Sequence, residues 1–258
     1  MKTAGLPDFL TGPFEFLIER TLSVADLRVV ERIEAMRTDM AKRSQEFVGV
    51  FEAEAKPAPR RSLTDVALIV SVLPLWGTFL YLCAKASRAK TILELGGGAG
   101  ISGCYLASAP SCKRFVTIEG SSARARLAEL HLRQAAQHTE VVIASFKDGL
   151  EQILPTLDEG IDLVFLDGSR RSEATLALLS RMTPHLNPQS LLIVDDIHWT
   201  DETRETWKRI RRLQGLAYAI NVGRFGVCGW QGGQGWAKTG TLFGIAGIDL
   251  YRVRRRIA

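Results

Sequence analysis

Cysteine is scarce in this chain and its placement is unpatterned. Cys83, Cys104, Cys112 and Cys228 form no CxxC pair and show no metal-ligand spacing. That argues against a zinc module or a disulfide framework and points to reduced, mostly buried thiols of a cytosolic protein. Strong charge of one sign is also missing: the formal net charge is +5 and the pI about 9.2. Much of the basic excess sits in residues 208–212 and 252–256, with no basic stripe interleaved with aromatics. A solvated surface explains it, and no nucleic-acid partner is expected. Internal repeats and low-complexity tracts are absent. The N-terminus lacks a basic region followed by an apolar one, so no secretory signal is expected and the expected location is the cytoplasm. One uncharged run, residues 66–84, is about long enough to span a bilayer. Pro74 and Gly77 interrupt it and polar residues crowd both ends, so short buried helices are expected there and no membrane insertion.

What is present is the composition of an ordinary globule, 46% hydrophobic and 24% charged over 258 residues. Leu27, Val30, Ile33, Met36 and Met40 recur at three- and four-residue spacing and predict one apolar helix face. Such a face suits packing on its own domain, a lid or a dimer contact alike, and a homodimer is one expectation. KPAPRR at 56–61 reads as a linker or surface loop, and Ser62 with Asp65 resembles a capping box opening the next helix. The division expected is an N-terminal helical extension over 1–61 and one domain over 62–258.

From Thr91 onward strands and helices alternate. Strand-like runs lie at 91–95, 115–119, 141–144, 161–166 and 191–194, with helix-like stretches at 101–108, 123–137, 149–157, 173–186 and 202–213. Short, nearly continuous apolar strands between amphipathic helices predict an α/β fold with a doubly wound, mostly parallel sheet. Residues 217–228 and 241–253 read as two late strands, antiparallel to the rest, joined by the Gly-rich GWQGGQGWAKTG.

The most informative stretch is TILELGGGAGISGCYL at 91–106. An apolar strand meets an acid at Glu94, then glycines at 96, 97, 98 and 100. Glycine permits a sharp turn and close backbone approach to a ligand. Gly98, Gly100 and Gly103 satisfy G-x-G-x-x-G, the dinucleotide pattern that seats a pyrophosphate on a helix N-terminus. Glu94, Gly96, Gly98 and Gly100 satisfy E-x-G-x-G-x-G, and a carboxylate there suits a cationic ligand better. Acids also stand at the ends of later strands: Glu119, Asp167 and the pair Asp195 and Asp196. In an open parallel sheet, ligands bind beyond those ends. Glu119 can accept hydrogen bonds from both ribose hydroxyls, or can cap the next helix beside Ser121. Ser145 and Phe146, after the third strand, suit the edge and face of an adenine; Phe146 suits the core equally.

ELGGGAG, TIEG, DLVFLDGSRR and LLIVDDIHW, in this order and spacing, resemble the class I S-adenosylmethionine-dependent methyltransferases. The nearest group is the bacterial small-molecule O-methyltransferases of catechol and cephalosporin-hydroxylase type, over roughly residues 74–199. The resemblance implies a Rossmann-like methyltransferase sheet and S-adenosyl-L-methionine as cofactor. Its cofactor site would comprise Glu94, Gly96, Gly98, Gly100, Glu119, Phe146 and Asp167. It also implies a divalent metal, Mg²⁺ or Mn²⁺, at Asp167, Asp195 and Asp196, where the family's third ligand is Asn. The family's basic lysine falls on Arg170, which stays protonated and makes a poor base. His198, two residues past Asp196, is the substitute by pKa, giving a catalytic set of His198, Asp167 and Arg170. Three other readings stay open: an NAD(P)-dependent oxidoreductase, a methyltransferase acting on nitrogen or a macromolecule, and a non-catalytic S-adenosylmethionine-binding protein. Against nucleic-acid or protein N-methylation, no NPPY- or DPPY-like tetrapeptide follows the fourth strand, where LDGSRR stands.

Overall fold

The computed structural model describes residues 7–42, 71–168 and 172–232. Two compact units divide the chain, Met1–Gly149 and Leu150–Ala258. KPAPRR, the Ser62 capping box, Arg170 and the strand expected at 241–253 lie outside the described residues.

In the first unit, β1 (Thr91–Leu95), β2 (Arg114–Glu119) and β3 (Thr139–Ile143) lie side by side, with β1 and β3 each parallel to β2. Every residue of β1 is buried, as its uninterrupted apolar run requires of a strand covered on both faces. β3 is half exposed, and Ile143 keeps 54% of its surface in solvent. α4 (Ile101–Ala107) is buried along its whole length, and α5 (Ser122–Ala135) covers it. Ser121 caps α5 by accepting the Arg124 N–H at 3.2 Å, which satisfies one of the donors that helix geometry leaves open.

The N-terminal helices are α1 (Thr11–Glu19) and α2 (Val24–Lys42). They pack on α3 (Pro74–Ala86), which starts with proline in the first turn where no N–H is needed. Phe14 meets Phe79 edge to face at 5.7 Å. The buried stripe of α2 differs from the apolar one expected. It runs through Asp26, Ile33, Arg37 and Met40, while Leu27 is 44% exposed. The two charges are paired: Asp26 accepts from Tyr81 Oη at 2.7 Å and Lys85 Nζ at 2.6 Å. Arg37 bonds Glu34, which in turn accepts the Tyr105 hydroxyl at 2.7 Å. Burial alone would raise the Asp26 carboxyl, yet Lys85, Ser23 and Tyr81 hold it below its ordinary value. Of the run at 66–84, residues 71–84 are described, and 74–84 lie in the single helix α3. Among the described residues no helix is long and apolar enough to cross a membrane.

α6 (Phe146–Ile153) spans the division between the units. In the second unit, β4 (Ile161–Leu166) and β5 (Leu186–Val194) are parallel, with α7 (Ser172–Met182) between them. α8 (Asp201–Ile210) follows, with Thr200 and Thr203 forming a reciprocal cap. The late strands come earlier than expected. Residues 217–228 are not one strand but a hairpin, β6 (Leu216–Val222) and β7 (Phe225–Trp230), turned at Gly223 and Arg224. Gly223 sits at φ 59°, the positive value that the first position of a two-residue hairpin turn needs. β7 runs antiparallel to β5, pairing Val194 with Gly226, so the hairpin tip arrives at the C-terminal end of β5. Gly226 is obligatory there: a Cβ would stand 2.5 Å from the Trp207 ring.

Candidate active site

The glycine turn begins where β1 ends. Gly96, Gly98 and Gly100 have φ of 99°, 52° and 86°, in the region where a Cβ is penalised. At Gly100 space is closed as well, since a Cβ would lie 2.7 Å from Ala128 Cα. At Gly98 the reverse holds, with no heavy atom within 4 Å of a hypothetical Cβ. The turn is therefore fixed from below at Gly100 and open above Gly98. Gly98 donates its N–H to Glu119 Oε2 at 2.9 Å. Glu119 Oε1 accepts from Ser121 N at 2.8 Å and from Arg124 Nη2 at 2.8 Å. Glu119 is thus a hydrogen-bonding hub at the end of β2, only 4% exposed.

Glu94 has a different character. It is wholly buried and accepts from Ser102 Oγ at 2.6 Å through Oε1. Oε2 has no hydrogen-bond partner among the described residues; the Thr117 hydroxyl is near enough to favour the charged form without meeting hydrogen-bond geometry. Burial pushes the carboxyl up to about 7, Ser102 and Thr117 opposing, and the Glu119 charge adds to the rise. Phe146 is half-buried at the start of α6, where Ser145 Oγ bonds Asp148 at 2.7 Å and caps that helix.

In the second unit, Asp195 and Asp196 follow β5 directly. Asp195 N–H donates to Leu166 O at 2.8 Å, which fixes the carboxylate beside the end of β4. Arg224, from the hairpin tip, reaches both acids. Its Nε donates to Asp195 Oδ1 at 2.5 Å, and its Nη2 donates to Asp195 Oδ2 at 2.7 Å and to Asp196 Oδ1 at 2.8 Å. Asp195 Oδ1 also accepts the Asp196 N–H at 2.5 Å. Asp196 takes φ 53°, a left-handed conformation that Asp tolerates better than most residues. Burial raises the Asp195 carboxyl, with Arg224 opposing and Asp196 adding to the rise. Burial works against the Arg224 charge, but Asp195, Asp196 and Asp167 together outweigh it and raise its pKa.

Of the three acids expected to hold a metal, Asp195 and Asp196 are bonded to Arg224. Among the described residues no group of three or more His, Cys, Asp or Glu side chains is placed to hold a metal. Asp195 spends both oxygens on a guanidinium, and a hard divalent cation needs those lone pairs. The residues present do not fit the ion. Asp167 is half-buried after β4, and His198 is exposed, its carbonyl accepting from Arg204 at 3.0 Å. Arg224 escaped sequence reasoning; the signal was the V-G-R-F break in an otherwise strand-like run.

Residues 93–197 match a family described as a methyltransferase domain. A catechol O-methyltransferase of Niastella koreensis is 35% identical over 126 residues, covering 46% of this chain and 56% of that protein. Another, of Mycobacterium tuberculosis, is 33% identical over 125 residues, covering 47% and 54%. The chain spans about half the length of these curated relatives. An O-methyltransferase from Bacillus cereus in complex with S-adenosylhomocysteine superposes with a TM-score of 0.58 at 19% identity, over 79% of this chain and 91% of that one. An O-methyltransferase from Streptomyces achromogenes involved in tomaymycin synthesis gives 0.55 at 22%, over 73% and 89%. The fold is therefore the Rossmann-like methyltransferase fold, mostly parallel with late antiparallel strands. Residues 93–197, which hold most of the four motifs, are thus similar to a methyltransferase domain.

Proposed function

We propose that this protein transfers a methyl group from S-adenosylmethionine to a hydroxyl of a small molecule. The observation that carries the reading is the turn at 96–100, open above Gly98 and tied by that residue's N–H to the Glu119 carboxylate. Glu119 would hold the ribose hydroxyls, with Oε2 retaining acceptor capacity beyond its one bond to Gly98. Glu94, being wholly buried, acts through the shape and charge of the turn rather than by touching the cofactor. Phe146 is assigned to the adenine. The methyl carbon is already activated by the sulfonium, so the protein supplies chiefly proximity and orientation. His198, exposed in the loop after β5, is the candidate acceptor of the hydroxyl proton.

The domain division at 61/62, a homodimer, and a cytoplasmic location belong to the same reading. The last is supported by four cysteines that are all free thiols. Metal assistance, expected from the motif, draws no support from the Arg224 clamp. Calorimetric titration tests the core of the proposal. S-adenosylhomocysteine should bind at micromolar concentration, NAD should not, and Glu119→Ala should weaken binding by roughly 100-fold. Binding of NAD in place of S-adenosylhomocysteine would replace this account with an oxidoreductase. Binding without turnover of any phenolic acceptor would leave a cofactor-binding protein.

A further inference from the structure

We infer that Arg224 is the resident cation of the acceptor site, standing where a divalent metal would otherwise act, and that it binds the acceptor oxygen directly. The inference rests on the methyltransferase reading above and deepens it. Three acids, Asp167, Asp195 and Asp196, lie within the electrostatic reach of this one guanidinium. The two at the end of β5 hold it by Nε and Nη2 in the planar, forked geometry that matches carboxylates. A metal at these oxygens would have to displace the arginine from both carboxylates and leave its half-buried charge without them, an unfavourable exchange.

The fork is not used up. Arg224 Nη1 makes no hydrogen bond among the described residues, and the side chain keeps 30% of its surface exposed. Its remaining N–H donors suit an anionic oxygen, the chemistry of a phenolate. The backbone fixes the arrangement: Arg224 O accepts the Ile197 N–H at 3.1 Å, so the hairpin tip is laced to the loop after Asp196. In the reaction the acceptor hydroxyl loses its proton to solvent or to His198, and the oxyanion pairs with Arg224 Nη1. An oxygen lone pair then forms the C–O bond while the methyl C–S bond breaks. The C–S electron pair stays on sulfur, which leaves as neutral S-adenosylhomocysteine. Arg224 keeps its proton throughout, as its chemistry requires.

Two measurements on the wild-type protein test this without any variant. Electron paramagnetic resonance should show added Mn²⁺ as the free ion, and methylation of a simple catechol should change by less than about twofold between EDTA and Mg²⁺. Arg224→Lys, which keeps the charge and loses the fork, should raise the acceptor KM by roughly 10-fold with less effect on kcat. Arg224→Gln should lower kcat/KM by roughly 100-fold or more, with S-adenosylhomocysteine affinity unchanged as the control for folding. Stoichiometric Mn²⁺ binding to the wild type, or turnover abolished by EDTA while S-adenosylhomocysteine still binds, overturns the inference alone. Failure of S-adenosylhomocysteine to bind overturns the methyltransferase reading, and the Mn²⁺ spectrum then still decides what the acid pair holds.

Discussion

Two buried acids at strand ends, Glu94 after β1 and Asp195 after β5, are both pushed up by burial but differ in what faces them. Glu94 has one hydroxyl donor, no cation bonded to it, and a carboxyl pushed up to about 7. Asp195 is equally hidden but receives a guanidinium on both oxygens and a backbone N–H on one. Burial penalises both charges; only the second acid is given a counter-charge held in place. The difference separates an acid that shapes a turn from one that anchors a cation. Removing the charge should therefore help the protein at one position and harm it at the other.

The sharpest break of that comparison is Asp195→Asn. It leaves Arg224 with one carboxylate and a misplaced amide donor, and chemical denaturation should show a loss of roughly 3 kcal/mol. Glu94→Gln should do the reverse. A carboxyl whose folded pKa is raised costs nothing below its unfolded value near 4.5, where both states are neutral. Between about 4.5 and about 7 the unfolded state ionises while the folded one stays largely protonated, so wild-type stability falls across that window and levels above it. Glu94→Gln should thus gain up to about 2–3 kcal/mol over wild type at pH 8, with the gain vanishing towards pH 4. Equal stability changes at both pH values would refute the contrast.

Seating of the hairpin comes next in size. Gly226→Ala forces the Trp207 ring aside and should cost about 1–3 kcal/mol in a denaturant midpoint series, while raising the acceptor KM through displacement of the tip. The smallest effect is expected at Arg124, which is 43% exposed and shares Glu119 Oε1 with Ser121. Arg124→Ala should change stability by less than about 1 kcal/mol, and calorimetry should show S-adenosylhomocysteine binding a few-fold tighter, because Glu119 is relieved of a competing donor.

The parallel strands were largely legible in the sequence. Apolar runs of five or six residues bounded by glycine and acid are hard to read as anything but parallel strands, and β1 and β4 fall where that pattern puts them. Two features were not legible, for different physical reasons. Hydrophobic periodicity is blind to a buried charge, so the inner face of α2, which seats Asp26 and Arg37, was assigned to its apolar neighbours. A two-residue turn leaves almost no gap in a strand-like run, so INVGRFGVC read as one strand and Arg224 was lost inside it. The acids of the site are local in sequence and were found. Their counter-charge arrives through strand pairing, 28 and 29 residues away, and no linear motif announces it.

That hairpin turn is held to a fixed length. Only Gly223 and Arg224 connect the paired residues Val222 and Phe225. Side chains alternate along a strand, so one added residue would carry the arginine out of reach of the two carboxylates. The pair would then be available to a different counter-ion. The hold of Arg224 on the two acids is thus set by loop length, and a one-residue insertion there should release it.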